Sequence, residues 1–282
     1  MYGWTGRVLE IDLSNKTTRV INPDKIVYEK YIGGKGLAGY YLKPFVTRHW
    51  TDPEMPLLFF TGPLNNTSSP TSGRMTVLSR SPLTGTVGDT SVGGKLGTML
   101  KRAGYDGIII TGKSDKYVGI HLDDDGIRFA DASKCQGYSV TETCQELDRL
   151  VPGASTAVIG PAAENQVMFA SIVLDEHYFA GRGGLGCVMA NKKLKFITVK
   201  GSQKTPVADA DELATGREEI FRLVAASPVL MGDLGITNYG TGALYDLMRQ
   251  RRMMPTDNFR QTYYESSPGM NAYAYKQKYK TR

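Results

Sequence analysis

Two stretches of this chain rhyme, and the rhyme limits the fold more than any total does. "FFTGP" (59–63) leads to Gly73-Arg74 and closes at "GIIITGKS" (107–114). "AVIGP" (157–161) leads to Gly181-Arg182 and closes at "FITVKGS" (196–202). The internal spacings differ, so this is no solenoid array of fixed period. It fits an old duplication with two related half-sites, the Gly-Arg pairs taking matching places.

The pattern between these markers is mostly β. Val8, Leu9, Ile11 and Leu13 precede a turn at Ser14-Asn15-Lys16, and "TTRVI" follows, which spells a hairpin. "PDKIVYEKYIGGKGLAGYYLKPF" reads as two helices broken at Gly33-Gly34. Strands are expected in "PLLFFTGPL", "RMTVLSRSP", "GIIITGKS", "VGIHLDDDGIRFAD", "TAVIGP", "VMFASIVLD" and "FITVKGS", with a helix over 141–150. Short strands with sparse helices define an α+β class: a β-rich domain of two pseudo-twofold halves with mixed sheets. Beyond Pro206 the texture turns helical. Asp209 or Asp211 can cap a helix carrying Leu213, Ile220, Leu223 and Val224, and a second helix over 243–253 stops at Pro255. The expected domains are 1–206 and 207–282, the second an incomplete helical segment.

Composition removes several function classes. No run of about 18 apolar residues occurs and the N-terminus has no signal-like core, so a cytoplasmic protein without membrane partners is expected. Between Arg249 and Arg282, eight basic residues stand against Asp257 and Glu265, which accounts for the whole formal charge of +6. A basic end on a neutral body without a stacking platform argues against nucleic acid. Cys135, Cys144 and Cys187 lack the spacing of zinc or iron–sulfur ligands and read as buried or half-buried free thiols, and His49, His121 and His177 are scattered and read as structural or surface residues.

Gly181 to Gly186 and Gly34 to Gly39 both match G-x-G-x-x-G. A dinucleotide fingerprint needs a strand entering, a helix leaving and an acid about 20 residues on. Here "DEHYF" separates the preceding strand from Gly181, Lys200 ends the following strand, and Gly34 interrupts helical sequence. The glycines read instead as backbone nests for anions beside Arg, at "PTSGR" around Arg74, "TSVGGK" around Gly93 and Gly94, and "AGRGG" around Arg182. Three such loops imply a large ligand with separated phosphates, so they should converge on one face.

In this order, "MYGWTGRVLEIDLS", "YIGGKGLAGYYL", "TGPLNNTSSPTSGRMTVLSRSPLTG", "KRAGYDGIIITGKS", "IGPAAENQVMFASI" and "AGRGGLGCVMANKKLKFITVKG" resemble the N-terminal domain of the tungsten-containing aldehyde ferredoxin oxidoreductase family. The resemblance is close up to about Gly201 and looser through "ITNYGTGALYDLM" and "PTDNF". It implies a tungsten or molybdenum bis-pyranopterin resting on the domain, magnesium bridging its phosphates, a neighbouring [4Fe-4S] cluster, and anaerobic electron transfer from aldehydes to ferredoxin. By position it assigns cofactor contacts to Arg74, Ser91, Gly93, Gly94, Phe179, Gly181, Arg182, Gly183 and Gly184. Carbonyls of Ser91 and Phe179 would face the magnesium. No catalytic acid or base is assigned. The chain departs from the family pattern at Ser91, where Asn is usual, and at Tyr178, where Arg is usual; the latter removes one phosphate partner. The family's C-x-x-C-x-x-x-C motif is expected beyond Arg282, so the resemblance implies a truncated or split chain, inactive alone, that needs the C-terminal helical domains or a partner chain. The alternative is a non-catalytic pterin-binding module. Either way the cofactor face should be partly apolar and the tyrosine-rich basic end poorly packed.

Overall fold

A computed structural model describes residues 1–265 and 267–279; Lys280 and Arg282 of the basic end lie outside them. The chain divides into two compact units, Met1–Ala210 and Asp211–Arg282. The division falls a few residues past Pro206 because residues 203–206 are fastened to the first unit. Gly3 N–H donates to the Pro206 carbonyl at 2.7 Å, and the Asn66 amide reaches Gln203 O and Thr205 Oγ1, each at 3.1 Å.

The first unit contains two six-stranded sheets. Its elements are β1 (Val8–Asp12), β2 (Thr17–Ile21), α1 (Lys25–Tyr31), α2 (Gly34–Leu42), β3 (Leu57–Thr61), β4 (Met75–Arg80), β5 (Val87–Val92), α3 (Leu96–Arg102) and β6 (Gly107–Thr111), then β7 (Val118–Asp123), β8 (Gly126–Asp131), α4 (Val140–Leu150), β9 (Ser155–Val158), α5 (Pro161–Glu164), β10 (Ile172–Leu174), β11 (Tyr178–Ala180), α6 (Leu185–Asn191) and β12 (Leu194–Val199). The strand orders are β2-β1-β6-β3-β4-β5 and, read the same way, β8-β7-β12-β9-β10-β11. Adding six to each strand number of the first sheet gives the second. The one parallel pair of each sheet is also equivalent, β1 with β6 and β7 with β12. The mixed α+β architecture of two related halves is therefore present.

The equivalence corrects one rhyme. Gly73-Arg74 lies in the β3–β4 connection, whereas Gly181-Arg182 lies between β11 and α6. The true counterpart of Gly181–Gly184 is Gly93-Gly94, between β5 and α3. Sequence matching paired dipeptides that look alike; topology pairs the loops that follow equivalent edge strands.

Two strands and three short helices, α3, α5 and α6, escape the pattern reading. In β5, "VGDTSV", the inward positions are Gly88, Thr90 and Val92, so alternation is real but not apolar. Strand β11 is only three residues long and sits in "DEHYF" plus the following alanine, so a strand does enter Gly181 directly and α6 does leave Gly184. The arrangement is still not a dinucleotide fold, for a topological reason: β12 pairs with β7 and β9, while β11 lies at the far edge beside β10 alone.

Helices α3 and α6 sit between the sheets and lock the halves together. Helix α3 packs on β3 of its own sheet and on β9 and β12 of the other; α6 packs on β10 and β12 and reaches across to β3 and β4. Leu96 and Leu100 from α3 and Leu185, Val188 and Met189 from α6 are all buried in the main core. Burying such side chains contributes about 1.5–3 kcal/mol each, so the interleaving is a large part of what joins the halves. Helix α4 starts on a capping box, with Ser139 and Glu142 bonding each other's backbone N–H. A smaller core places Tyr28, Leu37, Ala38 and Leu42 from α1 and α2 against Leu58, Phe60 and Leu78.

A buried lysine also bridges the halves. Lys192, after α6, is 1% exposed and donates to the carbonyls of Pro53 at 2.8 Å and Gly112 at 3.1 Å. Burial lowers its pKa to about 8, with Glu54, Asp52 and Asp12 opposing the shift. Between that value and the ordinary 10.5 the unfolded chain keeps a proton that the folded chain has lost, so stability rises with pH across this window. Denaturant midpoints measured from pH 7.5 to 10.5 should show this rise, and Lys192→Met should flatten it.

The second unit holds α7 (Ala210–Ala225), α8 (Pro228–Met231), α9 (Ile236–Tyr239), α10 (Tyr245–Gln250) and α11 (Ala272–Lys278). Helix α10 is shorter than the 243–253 expected, because residues 240–244 form a 3-10 turn and Arg252 adopts φ +53°. None of these five helices has a buried residue among those described. Leu223, Phe259 and Tyr273 are exposed. No single helix among the described residues is long and apolar enough to cross a membrane.

Candidate cofactor face

The sheets meet along their edge strands, β5 against β11. Each half's turn presses on the other half's glycine loop. A Cβ on Gly93 would stand 3.0 Å from the Tyr178 ring, and one on Gly94 would stand 2.7 Å from Asp175 Oδ2. In return, a Cβ on Gly183 would meet Gly88 Cα at 3.0 Å, and one on Gly184 would meet Pro82 Cγ at 3.0 Å, besides the Met168 carbonyl oxygen of its own half at 1.7 Å. Gly94, Gly183 and Gly184 also have φ of +94°, +73° and +69°. Three of the assigned glycines, Gly93, Gly94 and Gly183, are thus required by the crossing of the two halves, and Gly184 mainly by the Met168 turn of its own half.

The two Gly-Arg pairs are different. A Cβ on Gly73 would find nothing nearer than Gly94 O at 3.9 Å, and one on Gly181 nothing nearer than Ser171 Oγ at 3.5 Å. Neither glycine has a left-handed φ. Both are exposed, and each is followed by an exposed arginine.

Strand β5 brings the two arginine segments together. Arg74 Nη1 donates to the Ser91 carbonyl at 3.0 Å, and the neighbouring Thr90 hydroxyl donates to the Arg182 carbonyl at 3.3 Å. The loops at Arg74, Gly93 and Arg182, far apart in sequence, therefore converge at one edge. The Arg182 guanidinium has no hydrogen-bond or ion-pair partner among the described residues. Phe179 and Tyr178 on β11 are 62% and 46% exposed, and Met168 and Phe169, in the turn before β10, are 55% and 68% exposed. That combination of fixed cations and uncovered aromatic surface suits a ligand with anionic groups and flat rings.

Of the two carbonyls assigned to magnesium, that of Ser91 already accepts the Arg74 guanidinium, which leaves it one lone pair. Phe179 is paired with Val173 in the β10–β11 ladder. Tyr178, where the family pattern has Arg, turns its ring onto Gly93 and Gly94. Sequence reasoning missed Thr90 and Asp175, which join the halves here. Their only signal is a small polar residue in a weak strand and an aspartate directly after one.

The thiols are dispersed. Cys135 and Cys187 are buried, Cys144 is half-buried on α4, and burial raises the pKa of all three. Cys187 Sγ donates to the Val167 carbonyl at 2.7 Å. No group of three or more His, Cys, Asp or Glu among the described residues is placed to hold a metal ion. His121 pairs with Thr198 Oγ1 at 2.7 Å within the second sheet, and burial lowers its pKa.

Comparison with known proteins agrees with the motif order. Residues 8–201 match the model of the aldehyde ferredoxin oxidoreductase N-terminal domain, so the chain belongs to that family. It is 38% identical over 281 residues to a tungsten-containing aldehyde ferredoxin oxidoreductase of Pyrococcus furiosus, with 98% of this chain and 45% of the relative covered. The Thermococcus kodakarensis enzyme of the same name is 37% identical, covering 100% of this chain and 47% of the relative. An aliphatic sulfonate oxidoreductase, WOR-like subunit, of Pyrococcus furiosus is 31% identical, covering 94% and 45%. The chain therefore spans under half the length of these relatives. Among solved structures, the active-site complex BamBC of benzoyl coenzyme A reductase with 1,5-dienoyl-CoA matches with a TM-score of 0.78 and 32% identity, covering 82% of this chain and 37% of that one.

Proposed function

We propose that this chain forms the base on which a tungsten or molybdenum bis-pyranopterin rests, in an enzyme that oxidises aldehydes to acids and passes electrons to ferredoxin. The observation that carries this reading is the pair of open Gly-Arg sites at Gly73-Arg74 and Gly181-Arg182. Internal packing accounts for the other glycines at this edge, but these two leave room for close approach of a ligand beside a permanent cation. The residues present fit the group in kind: arginine forks for phosphate, main chain of β5 and β11 for polar edges, and Phe179 for a ring. When bound, the cofactor supplies the two-electron oxidation, with water as the source of the added oxygen. This chain's part is to bind, orient and tune by charge; Arg74 and Arg182 hold phosphate, and the carbonyls of Ser91 and Phe179 are the places for magnesium. Aldehyde oxidation needs the cluster-binding and channel-forming domains as well, whether on the same chain or a partner.

The test is metal analysis by mass spectrometry on protein purified anaerobically from cells supplied with tungstate. We expect tungsten or molybdenum near stoichiometry, falling about tenfold or more in Arg74→Met and Arg182→Met, the size expected when a charge-assisted contact is lost. Wild-type protein with neither metal above background would overturn the proposal.

A further inference from the structure

We propose that Asp175 is the positioning residue of the Gly93-Gly94 loop, a carboxylate from the second half that fixes the main chain of the first half at the cofactor face. Asp175 directly follows β10. Its Oδ1 accepts the Ser155 hydroxyl at 2.5 Å and the Thr156 N–H at 3.0 Å, both on β9. Its Oδ2 crosses to the other half and accepts the Lys95 N–H at 2.5 Å, the residue directly after Gly94. One carboxylate thus ties three donors from two halves. Bonds of this kind, with an ionised acceptor, are roughly twice as strong as neutral ones.

The backbone shows that the position is imposed. Asp175 and Glu176 have φ of +46° and +63°, a left-handed pair without glycine. Such conformations are sparsely populated without glycine and persist only where surrounding contacts over-determine them. Here the three hydrogen bonds to the carboxylate supply that determination. The tight turn in turn sends β11 back along the edge, setting the Tyr178 ring against Gly93 and Gly94.

The equivalent position in the first half makes the role specific. The residue directly after β4 is Ser81, and it lies beside the second half's loop, 3.6 Å from where a Gly183 Cβ would stand. Among the described residues Ser81 Oγ accepts only from Thr84 N–H within its own turn, at 3.1 Å. The duplication therefore keeps the crossing of turn and loop in both halves but supplies a carboxylate in one only. The Gly93-Gly94 loop carries its own internal anion at the Lys95 amide, so exogenous anion is left to the arginine sites.

The consequence for the cofactor rests on the reading proposed above; the wiring of the loop does not. Both can be measured on Asp175→Asn, which keeps the size and tolerates the left-handed backbone but presents NH2 to one of the donors. Ser155→Ala is a milder second variant that removes the hydroxyl donor and leaves the charge. With Asp175→Asn, amide hydrogen exchange at Lys95 should quicken by about tenfold or more, as expected for a lost charge-assisted bond. Tungsten content should fall several-fold while the thermal midpoint stays near that of a Ser81→Ala control, in which Lys95 exchange is unchanged. Ser155→Ala should move exchange in the same direction by less. Unchanged Lys95 exchange in Asp175→Asn overturns the assignment, and so does faster exchange with full tungsten retention. Absence of tungsten and molybdenum from the wild type would remove the cofactor reading alone, and the exchange comparison would then decide the loop-holding role by itself.

Discussion

Asp106→Ala is expected to destabilise the first unit by about 3–5 kcal/mol, the range for breaking a buried ion pair by removing one partner. Asp106 is 1% exposed and accepts from Thr5 N–H, from Gly6 N–H at 2.9 Å and from Tyr28 Oη at 2.9 Å, besides pairing with Lys101 Nζ. Lys101 is equally buried, and it also donates to the Gly3 carbonyl at 2.7 Å. Burial lowers the pKa of Lys101 although Asp106 opposes the shift, so its charge is costly even when paired. The alanine variant would leave that ammonium without its carboxylate and three donors without an acceptor. It would also release the Thr5 and Gly6 backbone from the α3–β6 turn and leave the Tyr28 hydroxyl of α1 without its acceptor. For a unit of this size the thermal midpoint should fall on the order of 10 °C, converting at about 2–4 °C per kcal/mol. Lys101→Met should cost less, because Asp106 would keep its other three donors. Equal thermal midpoints for the two variants would mean that the lysine, and not the carboxylate, is the centre of this cluster.

What could be read in the sequence depended on whether a residue's reason lay near it in the chain. The β1–β2 hairpin, the α1–α2 break and the α4 cap are local, and residues 8–21, 25–42 and 139–150 announce them. The rhyme of "TGP" with "IGP" and of "GIIITGKS" with "FITVKGS" was also legible, since β3, β6, β9 and β12 are continuous buried strands. Strand β5 was not legible, because Gly88 and Thr90 face inward where an apolar residue would have marked the period. The convergence of Arg74, Gly93 and Arg182 was expected from three glycine loops sharing one ligand, whereas the contacts that bring them together here are between the halves. Gly93, Gly94 and Gly183 are small because the opposite half occupies their Cβ positions, and Gly184 because the Met168 main chain of its own half does. Packing between and within the halves is by itself a sufficient reason for these four glycines. Asp175 was invisible for the same reason: its partner at Lys95 is eighty residues away in the chain.

That division of labour among the glycines gives the second large effect, a contrast between Gly184→Ala and Gly181→Ala. At Gly184 the new Cβ would lie 1.7 Å from the Met168 carbonyl oxygen, 2.8 Å from its carbon and 3.0 Å from Pro82 Cγ, with φ at +69°. The obstructing atoms are mostly main chain, so no rotamer change relieves the clash. Moving residue 168 outward disturbs the turn that ends at Ala170, whose carbonyl accepts the Gly186 N–H at 3.0 Å and would lie 2.7 Å from a Gly186 Cβ. It also pulls Val167 away from Cys187, and α6 with it from the sheets it joins. A left-handed alanine alone costs about 1–2 kcal/mol, and the forced main-chain shift adds more than a typical overpacking penalty of about 1–3 kcal/mol. Gly184→Ala should therefore yield little soluble protein or a midpoint lowered well beyond 10 °C on the scale of about 2–4 °C per kcal/mol. Gly181→Ala meets only ordinary van der Waals contacts, Ser171 Oγ at 3.5 Å and Phe179 Cβ at 3.8 Å, and its φ is not left-handed, so its stability should stay within about 0.5 kcal/mol of wild type, as for a surface substitution. Its effect should fall on ligand approach beside Arg182, seen as reduced tungsten or molybdenum content in folded protein. If Gly181→Ala unfolds the chain while Gly184→Ala does not, the packing of the second loop is the reverse of that described. If Gly181→Ala folds and keeps its full metal content, the open space beside Arg182 is not where the cofactor lies.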